Sequence, residues 1–577
     1  MDSDTGIDAP DNTGPDRIAP GGEAASFCAT LVDEWIRMGA THAVVAPGSR
    51  STPLAVALAA RSELALQVFH DERSAAFAAL GIGMASGRPA ILLCTSGTAA
   101  AHFHAAVIEA HQSDVPMIVC TADRPPELRD VAAPQTIDQT KLYGDAVRWF
   151  HDPGVASPES SHTWRALAAR CVLESTGRRP GPVHLNLPFR EPLVGAVAEL
   201  PPARTGAWST QTLALAPGDG EISSIAARLS GRRGVVVAGR GATREVTALA
   251  VALGWPVLVD PLSGARECRP NVVAAFDPIL RSGSAARALS PEVVVRVGQP
   301  PASKVFAQWI AACSPELVQI SAVDSVVDPD HRVAVRVVGD VDRICGLLAA
   351  HVVPTGVDWS EKWLAAETAA QAAISRWCAT HWSEPTVART VTDSVGSANL
   401  VVSSSMPIRD VEWFGTVTPD AAVHANRGAN GIDGVVSTAV GVALATREPT
   451  VLLIGDVALL HASNGLIGLT RRDVGLTIVV TNNDGGSIFS FLPQAGVVDG
   501  EVFESIYGTP HGVSFASLAA AHGIDHVEVH DAGTLAGAVA AGGTKLVEAR
   551  FPRGENVAVH DDLNRTVVEA VESVLAP

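Results

Sequence analysis

The sequence has few charged residues, no excess of basic residues and no long apolar run, and each shortage excludes a class of protein. Acidic residues outnumber basic ones, and the formal net charge of the 577 residues is −19. A surface of that charge repels phosphate backbones, so we expect no nucleic-acid partner. No apolar run reaches the roughly 18 residues that cross a bilayer, so we expect no membrane span.

Cysteine is scarce too, and none of the eight cysteines forms a CxxC pair. Scattered cysteines inside apolar segments are typical of buried, reduced thiols, and this predicts a cytoplasmic location. Residues 1–23 are rich in Asp, Gly and Pro and contain neither the basic nor the apolar region of a signal peptide. We therefore expect a disordered tail over residues 1–23.

What the chain does have is length and apolar content. It is 47% apolar and only 18% charged, which is typical of an α/β enzyme with much buried parallel sheet. A chain of this length holds about three or four domains. The predicted strands cover residues 43–46, 65–69, 90–94, 117–121, 183–187, 234–238, 257–259, 293–297, 333–338, 451–454 and 476–481, with a helix over 74–86.

An internal repeat divides the chain. Residues 80–93 align without gaps on residues 440–453, and the same offset of 360 positions places residues 118–121 on 478–481. Chance similarity between two buried-strand patterns is the weaker explanation, because one offset holds through about forty residues. We expect two copies of one doubly wound domain on either side of a different α/β domain. The predicted units are a tail over 1–23, a first domain over 24–201, a linker over 202–219, a middle domain over 220–358, a helical connector over 359–383 and a third domain over 384–577.

Polar residues follow two neighbouring strands of the third domain. Gly455 and Asp456 come directly after the apolar run 451–454, and Asn483 follows the run 476–481. The carboxyl ends of parallel strands are where open α/β sheets bind ligands. A carboxylate, an amide oxygen and the carbonyl of Gly485 suit Mg²⁺, and glycines let the backbone approach phosphates. The alternative is a pair of ordinary strand–loop junctions capped by turn residues.

The spacing makes the interpretation more specific. Asn483 lies 27 residues after Asp456, and the set resembles the thiamin diphosphate motif of the decarboxylase, acetohydroxyacid synthase and transketolase group. Thiamin diphosphate also needs a carboxylate at its pyrimidine ring, and burial can keep that group protonated. The best candidate is Glu72, where an apolar strand ends and a helix begins. The alternative is that Asp71 and Glu72 only complement the start of that helix.

Five further motifs occur in order along the chain. They are PGSRSTPL (residues 47–54), DERS (71–74), TSGTA (95–99), TADRPP (121–126) and NRG with GIDG (426–434). Together they resemble the 2-succinyl-5-enolpyruvyl-6-hydroxy-3-cyclohexene-1-carboxylate synthases, the thiamin enzymes of menaquinone synthesis. The resemblance implies decarboxylation of 2-oxoglutarate and 1,4-addition of the succinyl carbanion equivalent to isochorismate. It also implies that the first domain binds the pyrimidine and that the third binds the diphosphate and the metal.

The same resemblance implies which residues form the site. The metal, Mg²⁺ with Mn²⁺ as an alternative, is assigned to Asp456, Asn483 and Gly485. The catalytic residues are Glu72, Arg50, Gln135, Arg409 and Arg427. The cofactor residues are Glu72, Ser96, Gly97, Thr98, Ile432, Gly455, Asp456, Val457, Asn483, Gly486, Ile488 and Phe489. The substrate residues are Ser49, Arg50, Arg124, Gln135, Lys304, Ser405, Arg409, Arg427, Phe489 and Leu492.

The charge of the two substrates explains the arginines. The succinyl unit keeps one carboxylate after loss of CO₂ and isochorismate carries two, so a pocket in an acidic protein needs local cations, preferably Arg. By resemblance, Ser405 and Arg409 hold the succinyl carboxylate, and Arg50, Arg124, Gln135, Lys304 and Arg427 face isochorismate. Taken alone, an arginine on a loop is more often a solvated charge.

The resemblance finally implies a homodimer or homotetramer with active sites at the subunit interface, where Glu72 of one subunit meets cofactor held by the other. Two other interpretations remain open. One is a thiamin decarboxylase or an acetohydroxyacid-synthase-like enzyme for smaller 2-oxo acids, against which the clustered arginines weigh. The other is a catalytically inactive α/β regulatory protein, against which the combination of Glu72, Asp456 and Asn483 weighs.

Overall fold

A computed structural model describes residues 22–213, 216–266, 271–416 and 420–576. Over those ranges the chain forms three six-stranded sheets, and every strand pair in them is parallel. Helices connect successive strands, as parallel pairing requires. The predicted α/β class with three doubly wound sheets is confirmed.

The first sheet follows the strand order β2-β1-β3-β4-β6-β5. Its strands are β1 His42–Val45, β2 Ala65–Val68, β3 Ala90–Cys94, β4 Met117–Asp123, β5 Trp149–His151 and β6 Pro182–Pro188. Its helices are α1 Gly22–Arg37, α2 Thr52–Ala59, α3 Glu72–Ser86, α4 Thr98–His102, α5 His104–Gln112 and α6 Trp164–Ser175. The central strands are buried on both faces, which explains their continuous apolar sequence.

The middle sheet follows the order β12-β11-β10-β7-β8-β9, which differs from that of the first. Its strands are β7 Gly234–Ala238, β8 Val257–Val259, β9 Val272–Val273, β10 Val293–Val297, β11 Glu316–Ser321 and β12 Val333–Val338. Its helices are α7 Asp219–Leu229, α8 Val246–Leu253, α9 Phe276–Leu280, α10 Gly283–Ala288, α11 Lys304–Cys313 and α12 Val341–Ala349, followed by α13 Asp358–Cys378. At the switch point, a Cβ on Gly239 would lie 1.6 Å from the carbonyl oxygen of Gln299, so backbone fills the crevice between β7 and β10.

The third sheet has the order β14-β13-β15-β16-β18-β17. Its strands are β13 Asn399–Val402, β14 Val423–His424, β15 Thr450–Gly455, β16 Leu476–Asn482, β17 Asp525–Val529 and β18 Lys545–Arg550. Its helices are α14 Glu384–Ser394, α15 Met406–Phe414, α16 Val435–Thr446, α17 Asp456–His461, α18 Gly500–Phe503, α19 Phe515–Ala521, α20 Ala532–Ala540 and α21 Asn556–Leu575. Counted from its own first strand, this sheet repeats the order of the first sheet, which confirms the predicted repeat.

Long helices join the domains. Helix α13 buries one face, including Trp363 and Ile374, in the core of the middle domain, and α21 adds Leu563 and Val567 to the same core. A second core runs from the first domain into the third, because α3 packs directly against α16. The first and third domains therefore share apolar packing within one chain.

Three sequence predictions, on the tail, the cysteines and membrane spans, can be compared with the structure only over the described residues. The predicted tail lies outside them except for residues 22 and 23, which form the start of α1. The seven cysteines that the structure describes are all free, and six of them are buried, whereas Cys268 lies outside the described residues. None of the described helices combines the length and the apolar character needed to cross a membrane.

Candidate active site

Two strand ends of the third sheet bring Asp456 and Asn483 together. Strands β15 and β16 are neighbours, with Gly455 level with Thr481. Helix α17 begins at Asp456, whose Oδ2 accepts hydrogen bonds from the backbone N–H groups of Asn483 and Gly485, both at 3.0 Å. Asp456 and Asn483 are buried. The structure thus joins the two residues that the sequence placed at adjacent strand ends.

The side-chain amide of Asn483 has one satisfied end and one free end. Its Nδ2 donates to Oε1 of Glu384 at 2.8 Å. Its Oδ1 is buried and has no hydrogen-bond partner among the residues that the structure describes. A buried polar oxygen without a partner costs about 1–3 kcal/mol unless a ligand satisfies it. A free amide oxygen beside a carboxylate fits a hard divalent cation such as Mg²⁺.

The glycines after Asn483 form a tight turn that only glycine can make. Gly485 has φ of +140°, and a Cβ there would lie 2.0 Å from the carbonyl oxygen of Gly508. A Cβ on Gly486 would lie 2.1 Å from the carbonyl oxygen of Tyr507. This turn brings the Gly485 backbone beside Asp456. The assignment of the Gly485 carbonyl to the metal stays a prediction.

The other predicted residues of the third domain surround this turn. Val457 donates its backbone N–H to Oδ1 of Asp456 at 2.7 Å. The ring of Phe489 packs at 5.3 Å from that of Tyr507, Ile488 is half-buried, and Leu492 is exposed. Ile432, just before α16, packs against the core shared by the first and third domains.

Glu72 is the first residue of α3, four positions after Val68 ends β2. The N-cap is its neighbour Asp71, whose Oδ2 accepts from the backbone N–H of Ser74 at 3.2 Å and from the Ser74 hydroxyl at 2.6 Å. Asp71 therefore has the helix-capping role. The half-buried carboxylate of Glu72 forms no hydrogen bond or ion pair with any described residue.

Three predicted residues of the first domain form one cluster at the C-terminal edge of its sheet. Arg124 donates from Nη1 to the Ser96 hydroxyl at 3.2 Å. Gln135 donates from Nε2 to the Ser96 carbonyl at 3.1 Å, and the Ser96 hydroxyl donates to the Gln135 carbonyl at 3.0 Å. Gly97 lies next to them, and its N–H donates to Gln139. Thr98 begins α4, and Ser49 follows β1.

Arg50 is paired with groups of the first domain. Its side chain is buried, donates from Nη1 to the Phe189 carbonyl at 3.0 Å, and pairs through Nη2 with Oε1 of Glu191 at 3.1 Å. The Glu191 side chain is 73% exposed, so the pair is open to solvent on one side. Burial lowers the pKa of Arg124, and the charge of Arg50 lowers it further. The sequence did not predict Glu191.

The remaining predicted cations lie between the middle and third domains. Lys304 and Arg427 line one cavity of about 660 Å³ together with Asp260. Burial lowers the pKa of Arg409, and the charge of Arg427 lowers it further.

Ser405 precedes Arg409 by one helical turn and caps α15 with φ of +77°. A non-glycine residue in that region is strained by about 1–3 kcal/mol, and such strain clusters at functional sites.

Within one chain, the first and third sheets oppose each other in opposite directions. Val68 ends β2, and its carbonyl accepts a hydrogen bond of 2.8 Å from Nη2 of Arg472. Arg472 lies just before the start of β16. Conversely, Gly428, beyond β14, donates its N–H to Oε1 of Glu109 at 2.7 Å, near the end of α5. Each sheet therefore presents its C-terminal edge to the N-terminal edge of the other.

Arg73, the neighbour of Glu72, contacts the end of the helix that begins at Asp456. Arg73 donates to the carbonyl of His461 at 2.7 Å, but His461 ends α17 whereas Asp456 begins it. Over the described ranges, no hydrogen bond or ion pair links Glu72 to Asp456 or Asn483. The structure brings together Asp456 and Asn483, which the sequence predicted to bind metal.

Sequence reasoning missed several polar residues near the cradle formed by Asp456 and Asn483. Burial raises the pKa of Glu384 to about 7, and a cation bound at the cradle would favour its charged form. His560 forms an ion pair with Asp410 at 2.7 Å. His511 lies 3.3 Å from Oδ2 of Asp456 through its Nε2. The only local signal is Ser383 and Glu384 at the start of a helical pattern, which resembles an ordinary N-cap.

Comparisons with known proteins agree with this geometry. Residues 27–142 match the family described as thiamine pyrophosphate enzyme, N-terminal TPP binding domain. Residues 221–401 match the middle domain of thiamine pyrophosphate enzymes, and residues 414–548 match the C-terminal TPP binding domain. These three matches fall in the same order as the three sheets.

Similar proteins of full length are also known. A protein of Geobacillus kaustophilus is 41% identical over 95% of this chain and 99% of its own length. One of Myxococcus xanthus is 40% identical over 92% and 95%, and one of Haloarcula marismortui is 38% identical over 94% and 98%. Each of these relatives carries the name 2-succinyl-5-enolpyruvyl-6-hydroxy-3-cyclohexene-1-carboxylate synthase.

Proposed function

Because the chain belongs to the 2-succinyl-5-enolpyruvyl-6-hydroxy-3-cyclohexene-1-carboxylate synthase family of thiamine pyrophosphate enzymes, we propose that it joins a succinyl unit from 2-oxoglutarate to isochorismate in menaquinone biosynthesis. The structural observation that carries the proposal is the cradle of Asp456 and Asn483, in which a carboxylate and an unpaired amide oxygen lie on adjacent strand ends. A cradle of this kind has the donors that Mg²⁺ bound to a diphosphate requires.

Asp456, the Oδ1 of Asn483 and the carbonyl of Gly485 would hold Mg²⁺, with Mn²⁺ as an alternative. The backbone around Gly455, Val457 and Gly486 would lie against the diphosphate. When bound, thiamin diphosphate supplies the nucleophilic carbon and the electron sink for loss of CO₂. The protein positions the cofactor. Ile432 and Phe489 would contact the apolar parts of the cofactor, and Ile488 would support the turn.

Glu72 would hold a proton at the pyrimidine ring of the cofactor, where a carboxylate without another partner can exchange it. The cofactor in question would be bound by Asp456 and Asn483 of a second chain. The opposed sheet edges, seen at Val68 and Gly428, support this arrangement, because they separate the two halves of the site within a chain. A homodimer is then the smallest active assembly, and a homotetramer is a pair of such dimers.

The cations divide between the two substrates. Arg409 and Ser405, one turn apart at the start of α15, would bind the distal carboxylate of the succinyl unit. Lys304 and Arg427, which share a cavity, would face isochorismate from the middle and third domains respectively.

Arg50, Arg124 and Gln135 would face isochorismate from the first domain of the other chain, with Ser49, Ser96, Gly97 and Thr98 around them. For Arg50, substrate carboxylate would replace Glu191, which is exposed and held by one hydrogen bond. Arginine forks suit carboxylates because they bind both oxygens at once. We also propose a cytoplasmic location, supported by the free thiols of the described cysteines.

The test is product analysis by mass spectrometry with 2-oxoglutarate, isochorismate, thiamin diphosphate and Mg²⁺. The proposal expects one adduct per CO₂ released and no reaction when Mg²⁺ is chelated. Release of succinic semialdehyde with isochorismate left intact would mean a simple decarboxylase. If neither substrate is consumed and calorimetry detects no uptake of cofactor, the chain is not an enzyme of this type.

A further inference from the structure

The two asparagines that follow one another at the end of β16 use their amides differently. Both donate Nδ2 to a buried glutamate: Asn482 to Glu548 at 2.6 Å and Asn483 to Glu384 at 2.8 Å. The Oδ1 of Asn482 accepts the backbone N–H of Asp484 at 3.1 Å, so that amide is satisfied at both ends. The Oδ1 of Asn483, in contrast, has no partner in the described part of the chain.

We propose that Glu384 is a positioning residue that fixes the Asn483 amide with its oxygen toward the metal. The inference rests on the proposed function, since it concerns the same cradle. An ionised carboxylate has only acceptors, whereas an amide has two donors on nitrogen and acceptors on oxygen. If the amide turned over, its oxygen would face the oxygens of Glu384 and its NH₂ group would face the cation. In its ionised form, which a bound cation favours, Glu384 therefore excludes the orientation that cannot bind metal.

The position of Glu384 does not depend on Asn483. Glu384 is the first residue of α14, after the N-cap Ser383, whose side chain accepts from the backbone N–H of Thr386. A carboxylate at a helix N-terminus is stabilised by the helix dipole. Glu384 is 3% exposed, and α14 packs against α15 and α20. The position of the Glu384 carboxylate is thus set by α14 and its packing, and it does not require a bound metal.

Partners behind metal ligands set ligand orientation, and their mutation costs about 10–100-fold in metal affinity. The substitution that tests Glu384 is Glu384→Gln, because glutamine keeps the size but can present either an acceptor or a donor. Its matched control is Glu548→Gln, which makes the same change beside Asn482. Both variants are measured as full chains by calorimetric titration of Mg²⁺ in the presence of thiamin diphosphate.

For E384Q we expect the dissociation constant for Mg²⁺ to rise about 10–100-fold, while E548Q stays within about threefold of wild type. Turnover of E384Q should recover at saturating Mg²⁺, so that the Mg²⁺ requirement changes and the maximal rate does not. The double variant E384Q/N483D reverses the hydrogen bond, because the amide introduced on α14 can donate to the carboxylate introduced after β16. An oxygen then still faces the cation, and the Mg²⁺ affinity should return to within about tenfold of wild type.

Equal Mg²⁺ affinity in E384Q and wild type, or an equal loss in E384Q and E548Q, would overturn the positioning role. If E384Q does not fold, the double variant decides: affinity within about tenfold of wild type supports the role, and a larger loss overturns it. Failure of the wild type itself to bind Mg²⁺ with thiamin diphosphate would instead refute the proposed function. The wild-type titration therefore separates the two failures.

Discussion

Gly81 and Gly441 lie against each other where α3 crosses α16: a Cβ on Gly441 would be 3.0 Å from the Cα of Gly81. The contact is reciprocal. That Cβ would also be 2.1 Å from the carbonyl oxygen of Ala78, and a Cβ on Gly81 would be 2.1 Å from that of Thr438. Ala78 and Thr438 are separated by the same 360 positions as the two glycines. The two copies of the sequence repeat therefore pack against each other with approximate two-fold symmetry.

A side chain at this crossing has no space, because the obstacle is backbone. Gly441→Ala should lower the free energy of unfolding by about 1–3 kcal/mol, the usual cost of overpacking a core. The matched control is Gly537→Ala inside α20, where a Cβ meets nothing within 4 Å. There alanine should stabilise the protein by about 0.5–1 kcal/mol. Denaturant titration measures both, and similar midpoints for the two variants would contradict the close crossing.

Glu72→Gln tests the proton-holding role. Glutamine fills the same space but cannot release a proton, so cofactor should still bind while turnover falls by about 10²–10⁴-fold. Calorimetry with thiamin diphosphate and Mg²⁺ measures the first quantity, and product formation the second. Turnover within a few fold of wild type would show that another group does this work.

Mixing two inactive variants tests whether the site spans two chains. Glu72→Gln removes the carboxylate and Asp456→Ala removes the metal cradle, so each variant alone should be inactive. In a mixed dimer, one active site combines both defects and the other has none. Random pairing should then restore about a quarter of wild-type turnover, because half of the dimers are mixed and each has one intact site. Sites formed within single chains would give no recovery after subunit exchange.

Arg409→Ala tests the division of the cations. Removing a charged hydrogen bond costs about 1.5–3 kcal/mol, so the KM for 2-oxoglutarate should rise at least about tenfold. The KM for isochorismate should change little. Arg427→Ala is the comparison, and it should raise the requirement for isochorismate instead. The opposite pattern in the two variants would mean that the substrate sites are interchanged.

Local patterns predicted the fold class and eleven of the eighteen strands that the structure describes. Strands β3, β7, β8, β10 and β12 have the predicted bounds, because a buried parallel strand is a continuous apolar run that ends abruptly at polar residues. Asp456 and Asn483 were predictable for a related reason: each closely follows such a run. The repeat also predicted that the first and third sheets share a strand order, since one copy predicts the other.

Contacts between residues that are far apart in the sequence were not predictable. Glu384 is 99 positions from Asn483, and Glu191 is 141 positions from Arg50. No periodicity or turn pattern links such pairs, because their contact depends on how separate elements pack. Glu384 resembles any acidic residue that begins a helix. Its role follows only from the orientation of one amide in the folded chain.

The buried pair of Asp410 and His560 predicts how stability depends on pH. Burial alone lowers the pKa of His560, but the charge and hydrogen bond of Asp410 outweigh it and raise the pKa above the usual value. The pair therefore contributes its full stability below about pH 6.5, the unfolded value, and loses it as pH rises through the folded pKa. Asp410→Asn should cost about 3–5 kcal/mol at low pH, because a buried charge loses its partner.

The cost of Asp410→Asn should shrink as pH rises, because His560 becomes neutral in the wild type as well. Unfolding midpoints of wild type and variant, measured from about pH 5.5 to about pH 8.5, give the difference in stability at each pH. The contributions of titrating groups common to both proteins cancel in that difference. The exposed His530, replaced by Asn, is the control and should leave the wild-type profile unchanged. A cost that stays constant across this range would mean that His560 does not carry a proton in the folded protein.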